Sequence, residues 1–188
     1  YGTVYWYKFA DILAYNFNKI PYMSPNLITT LRNLVLIRLC YKVFYKKNFT
    51  NLGMYVLVIG ILDCVDGEYA RKYNKVTKLG DNYDHISDLI TTLVLFTILF
   101  MYSETKYSLI IALIFLFTAS QQMICMERYR KKYMNINTNR DSLQFLENVC
   151  PVNTKKGLES FLTKYRFLGY GTYYMVMTIL MSKLNRSY

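Results

Sequence analysis

Aspartate is scarce in this chain: seven residues in 188, against 23 lysines and arginines and a formal net charge of +11. So basic a balance would suit a nucleic-acid binder, but the cations gather at the ends of apolar blocks rather than along one stripe, which argues against that class. Cysteine is thin as well. Cys40, Cys64, Cys125 and Cys150 are scattered with no CxxC pair, which speaks against a disulfide frame or a zinc site and for small apolar side chains in a reducing setting. There is one histidine, His85, and no internal repeat or low-complexity tract. No signal peptide is visible, and a first membrane span can direct insertion without one. The chain begins at Tyr1 rather than at a methionine, so trimming at that end is expected.

What the chain has in quantity is apolar and aromatic sequence. It is 53% hydrophobic and 17% aromatic, with 20 tyrosines, and the apolar residues come in long blocks that a soluble domain of this size rarely carries. Three blocks are near bilayer length: residues 52–68, apolar as far as Asp63; 86–102, charged only at Asp88; and 107–126, uncharged. Two weaker candidates flank them, 27–45, interrupted by Arg32, Arg38 and Lys42, and 165–182, rich in Tyr and Met. The pattern predicts an all-α integral membrane protein, a bundle of five to six transmembrane helices. Residues 4–18 carry Trp6 and several tyrosines at roughly helical spacing and predict an amphipathic helix at the membrane surface. Ser24-Pro25-Asn26 predicts a capped helix start. Asn48 to Asn51, Lys72 to Lys78 and Ser103 to Lys106 predict turns, and Gly80 is expected to open the third span. Phe145, Leu146, Val149, Leu158, Phe161 and Leu162 suggest short interfacial helices, and a sixth span would have to lie in 141–162 or outside this chain. The whole chain, 1–188, then forms one membrane domain: an interfacial helix over 1–23, core spans over 24–128 and a C-terminal region with the last span over 129–188.

Orientation follows from lysine and arginine. If the loop after the second span faces the cytoplasm, 15 cationic residues lie on that side and six on the other. Lys42, Lys46 and Lys47 weaken the bias without reversing it. Some of the positive charge is expected to attract anionic lipid headgroups.

Five of the seven aspartates, Asp63, Asp66, Asp81, Asp84 and Asp88, fall within 26 consecutive residues that join two apolar stretches. Burying a carboxylate at membrane depth costs roughly several kcal/mol unless it is paired or binds a cation. On helices, Asp63 and Asp66 (i, i+3) share a face, as do Asp84 and Asp88 (i, i+4). If the second and third spans pack antiparallel, the two pairs meet, and four carboxylates in one pocket repel unless divalent cations neutralise them. Oxygen-only ligands favour Mg²⁺, Mn²⁺ or Ca²⁺, and Mg²⁺ usually shares its shell with substrate phosphates. Gly67 and Ala70 leave room for a ligand or let helices approach closely, and Arg71 is placed to take a phosphate oxygen. Asp81 reads as a first-turn acid favoured by the helix dipole, Glu68 as solvated or paired with Lys72 rather than catalytic, and His85 as pointing away from the Asp84/Asp88 face. Arg128, Arg130, Lys131 and Lys132 read most simply as a cytoplasmic anchor.

The run resembles the signature of the CDP-alcohol phosphatidyltransferase family, D-x2-D-G-x2-A-R-x8-G-x3-D-x3-D, at every fixed position: Asp63, Asp66, Gly67, Ala70, Arg71, Gly80, Asp84 and Asp88. The stretch Ser24-Pro25-Asn26-Leu-Ile-Thr29 also resembles the Pro-Asn segment ahead of that family's first span. The resemblance implies a membrane transferase that moves a substituted phosphoryl group from a CDP-linked donor to an alcohol and releases CMP. It implies that Asp63, Asp66, Asp84 and Asp88 hold Mg²⁺ or Mn²⁺, with Asp88 also the general base. It implies that Asn26, Gly67, Ala70, Arg71 and Thr77 shape the CDP site, and that the protein forms a homodimer, as the family commonly does. The expected location is an intracellular membrane such as the endoplasmic reticulum, or the plasma membrane of a prokaryote, with the site facing the cytoplasm.

The donor stays open. The short chain and the loop 74–80 lean to CDP-diacylglycerol with a small polar alcohol such as inositol, serine or glycerol phosphate. The Asp84-His85 step resembles the choline and ethanolamine phosphotransferase branch, in which CDP-choline or CDP-ethanolamine meets diacylglycerol. A cation transporter is the rival of another class, but it would spread its acids along several spans or in a ring. Here they cluster at one loop-facing end.

Overall fold

The structure, a computed structural model, describes residues 2–103, 105–133, 149–165 and 168–184. Among the described residues seven α-helices follow one another and no strand occurs. Helix α1 spans Gly2–Phe17, where the amphipathic surface helix was expected. Helix α2, Pro25–Cys40, starts where the Oγ of extended Ser24 accepts the Leu27 N–H at 3.2 Å, with Pro25 filling the first turn that needs no donor. It runs on through a wider, π-helical turn, Tyr41–Tyr45. Asn51, in the left-handed region at φ 58°, then turns the chain into α3, Leu52–Lys72.

Helix α4, Lys78–Tyr102, begins two residues before the expected start at Gly80, because the Thr77 Oγ1 accepts the Gly80 N–H at 3.0 Å and so caps the helix. The turn at Ser103 leads to α5, Lys106–Tyr133, which runs back toward the aspartate end. Helices α6, Lys155–Lys164, and α7, Tyr170–Leu184, complete the described chain.

Of the five expected spans, α4 and α5 are long and apolar enough to cross a membrane by length and composition. Only 28% and 22% of their apolar windows are buried within the chain. Leu89, Leu93 and Phe100 of α4 and Leu113 and Phe117 of α5 face outward, more than half exposed. A core helix of a soluble bundle would be covered, so these apolar surfaces fit lipid. No sixth span appears in the described part of 141–162: α6 has ten residues, about 15 Å of helix, half of what a bilayer needs. Leu158, Phe161 and Leu162 do lie on this short helix, whereas Phe145 and Leu146 lie outside the described residues.

Helix α3 packs against α1, α2 and α7. Its approach to α7 is close, for a Cβ added at Gly60 would stand 2.5 Å from Tyr174 Cγ. The main apolar core fills the end remote from the aspartates, with Leu39, Val43, Leu52, Val56, Leu95 and Leu99 fully buried.

The expectation of four unpaired cysteines fails. Cys125 on α5 and Cys150 ahead of α6 form a disulfide, both buried beside Leu158, in which Cys40 and Cys64 take no part. A pair 25 residues apart has no local spacing to betray it; only the return of the chain onto α5 brings the sulfurs together.

Candidate active site

The two aspartate pairs do meet, but through a third helix. Helix α2 packs against both α3 and α4 and sends Arg32 between them, with no exposed surface. Arg32 Nη1 donates to Asp63 Oδ1 and, at 2.8 Å, to Asp88 Oδ1. Its Nη2 lies 3.3 Å from Asp84 Oδ1 and donates to the Asp84 carbonyl at 3.4 Å. One turn earlier on α2, the Thr29 hydroxyl donates to Asp66 Oδ2 at 2.7 Å. One turn of α2 thus supplies the donors that hold acids from α3 and α4 together. A second set ties α2 to α4: Asn33 Nδ2 donates to Tyr83 Oη at 3.1 Å and to Ser87 Oγ at 2.9 Å.

One oxygen from each of Asp63, Asp66 and Asp84 lies within 4.8 Å of the other two, so the three could share one cation. Asp66 is 3% exposed, and its Oδ1 has no hydrogen-bond partner among the described residues. An orphaned buried carboxylate oxygen is costly. Four carboxylates against a single buried guanidinium leave an excess of negative charge that a divalent ion would balance. Hard oxygen donors of this kind fit Mg²⁺ or Mn²⁺.

Asp84, His85 and Asp88 form a second group whose ligand atoms also lie within 4.8 Å of one another. His85 therefore does not point away from the acids as expected. It is the i, i+3 neighbour of Asp88, and its long side chain reaches that face. Its Nε2 is 3.7 Å from Asp81 Oδ2, and Asp81 sits in the first turn of α4, as the dipole argument expected.

Beside the acids opens a cleft between α2, the C-terminal end of α3 and the N-terminal end of α4. Asn26, Gly67, Ala70 and Thr77 line it, with Asp66 and Asp84. Gly80 keeps it open, because a Cβ there would stand 2.8 Å from Asn26 Oδ1 and 2.9 Å from Thr77 Oγ1. Arg71 is not among the lining residues. Its Nη2 donates to Glu68 Oε2 at 2.9 Å, one turn away at i, i+3. Among the described residues Glu68 pairs with Arg71 and not with Lys72, which reaches across to Asp11 of α1. That contact fastens the surface helix to the end of α3.

Three participants escaped sequence reasoning. Arg32 was counted only as a break in an apolar run. A charge there is costly unless acids answer it, and Asn26, Thr29 and Arg32 recur every three residues along one side of α2; those were the available signals. Thr29 carried that spacing and its place in the Pro-Asn stretch, neither of which names a role for its hydroxyl. Lys75 was counted only for orientation, yet it lines the cleft, its Nζ donating to the Met23 carbonyl at 3.2 Å and to Tyr69 Oη at 3.0 Å.

The profile of the CDP-alcohol phosphatidyltransferase family matches residues 22–154, which takes in the whole acidic run and helices α2 to α5. No curated protein and no solved structure matches the chain. The chain belongs to the CDP-alcohol phosphatidyltransferase family, membrane-embedded phosphotransferases of phospholipid biosynthesis that move a phosphoryl group from a CDP-alcohol to an acceptor.

Proposed function

We propose that this chain transfers a phosphatidyl group from CDP-diacylglycerol to a small polar alcohol and releases CMP. The observation that carries the reading is the position of the acids: Asp66 and Asp84 line the same cleft as Asn26, Gly67, Ala70 and Thr77, so a nucleotide there brings its pyrophosphate to the carboxylates.

Asp63, Asp66, Asp84 and Asp88 are the residues that would hold Mg²⁺ or Mn²⁺. Bound to their oxygens, such an ion supplies charge neutralisation at the phosphoryl oxygens and lowers the pKa of a hydroxyl bound to it. The chain's own groups do the rest. Gly67 and Gly80 let the pyrophosphate approach the backbone, Thr77 offers a hydroxyl, and Lys75 brings positive charge to the cleft. Arg71 stands beside Gly67, its Nη1 3.1 Å from where a Cβ would be, and a change of rotamer away from Glu68 would turn it to a phosphate oxygen. Asp88 accepts the proton of the acceptor hydroxyl. The hydroxyl oxygen forms a bond to the phosphorus that carries the diacylglycerol, and the bond from that phosphorus to the CMP oxygen breaks. Arg32, engaged with Asp88 Oδ1, fixes the direction in which this base faces.

The whole chain is read as one membrane domain of five to six spans, with α2, α3 and α7 joining α4 and α5. The lysine and arginine bias supports a cytoplasmic site. Against it stands the Cys125–Cys150 bond on the returning half of α5, since such bonds persist in oxidising compartments.

A second reading has its own observation. His85 reaches the Asp84/Asp88 face, which favours transfer from CDP-choline or CDP-ethanolamine to diacylglycerol. The test is radiolabel transfer in detergent with Mg²⁺. CDP-diacylglycerol would be offered with inositol, serine, glycerol 3-phosphate or inositol phosphate, and CDP-choline or CDP-ethanolamine with diacylglycerol. Labelled phospholipid from the first set is the expected result. Label only from the second set would replace the proposal with the alternative, and silence in both would overturn both.

A further inference from the structure

Arg32 heads the fully buried side chains by volume, and among the described residues it is the one charged residue of that set. A guanidinium placed there does more than offset charge. It makes the contacts that an ion between α3 and α4 would make, bonding Asp63 of one helix and Asp84 and Asp88 of the other. Those contacts divide the acids into two halves. Asp66 takes its hydrogen bond from Thr29, keeps one buried oxygen without a partner and lines the cleft with Asp84. Asp63 and Asp88 share Nη1 of Arg32, and neither lines the cleft.

We propose that Arg32 is a built-in cation between Asp63 Oδ1 and Asp88 Oδ1, so that a divalent ion gains those two oxygens only by displacing the guanidinium. The inference rests on the reading of this cluster as a metal centre. Two cations cannot share the Nη1 position between Asp63 and Asp88, because each would sit within contact distance of the other. A first ion on Asp66, Asp84 and the Asp63 oxygen that Arg32 does not bond would leave Arg32 Nη1 in place. A second ion must push it out and forfeit its bonds to three acids. Arg32 thereby keeps α2, α3 and α4 assembled when no metal is bound, and it sets the order in which the two positions fill.

The test is a Mn²⁺ titration of the full chain in detergent, followed by electron paramagnetic resonance. Wild type is expected to bind one ion tightly and a second at least ~30-fold more weakly. Arg32→Gln is expected to bind two ions with similar affinity and to show the broadened spectrum of a coupled pair. Two equally tight, coupled ions in wild type would overturn the inference, and so would an Arg32→Gln titration identical to wild type. If Arg32→Gln folds only when Mn²⁺ is present, the assembling role is supported. If it does not fold at all, the wild-type titration decides. Arg32→Lys, whose single ammonium has no fork to span three acids, is expected to bind the second ion more tightly than wild type. Absence of Mn²⁺ binding in every protein is a distinct result, which overturns the metal reading and this inference with it.

Discussion

At the end of the bundle remote from the aspartates, α2, α3 and α4 meet through Leu39, Val56, Leu95 and Leu99, all fully buried. At the aspartate end the same three helices meet through Arg32, Thr29 and Asn33, each aimed at a named oxygen. The remote end is fastened by shape and volume, which tolerate exchange among similar apolar residues. The aspartate end is fastened by donors and acceptors, where removal of one member leaves the rest buried and unpaired. Lysines also differ between the ends. Remote from the acids, Lys42, Lys46 and Lys47 lie over the rings of Tyr55, Tyr41 and Tyr102 at 5.4–5.7 Å, an arrangement suited to the membrane interface. Those three residues were the ones that blurred the charge bias, and their aromatic partners give them a local reason to be there.

The contrast can be broken from either side. Gly60→Leu attacks packing alone, since any side chain there meets the Tyr174 ring. It is expected to destabilise the protein by about 1–3 kcal/mol and to lower the thermal unfolding temperature in detergent. An unchanged melting curve would mean that α3 and α7 do not approach as closely as described. Thr77→Ala acts more gently, on a residue that both caps α4 and lines the cleft. Loss of the cap is expected to cost about 1 kcal/mol, with a raised KM for the CDP donor. A stability loss without any change in KM would leave Thr77 a cap and nothing more.

How much of this was legible in the sequence depends on the range of the interaction. Helices α1 to α5 follow from apolar blocks broken by turns, and Ser24 announces the start of α2, because caps and breaks are local in the chain. The acid pairs were legible for the same reason: i, i+3 and i, i+4 spacings fix a shared face. What went unread was long-range. The partners of Arg32 lie 31 to 56 residues away, and the Cys125–Cys150 pair spans 25. His85 was misread for a different reason. One residue after Asp84 it starts on a different face of the helix, yet it is also i, i+3 to Asp88, and its long side chain spans the difference. Arg71 was expected on a phosphate, and its Nη2 is paired with Glu68 one turn away.

The central claim is that the acids gathered by Arg32 and Thr29 carry out the transfer. It is tested most directly by Mg²⁺-dependent CMP release from the CDP donor, comparing wild type with Asp88→Asn at matched folding. The account predicts a loss of about 10³-fold, the size expected for removal of a positioned general base, with the melting temperature kept close to wild type. Release within a few-fold of wild type would contradict it and place the reacting group elsewhere.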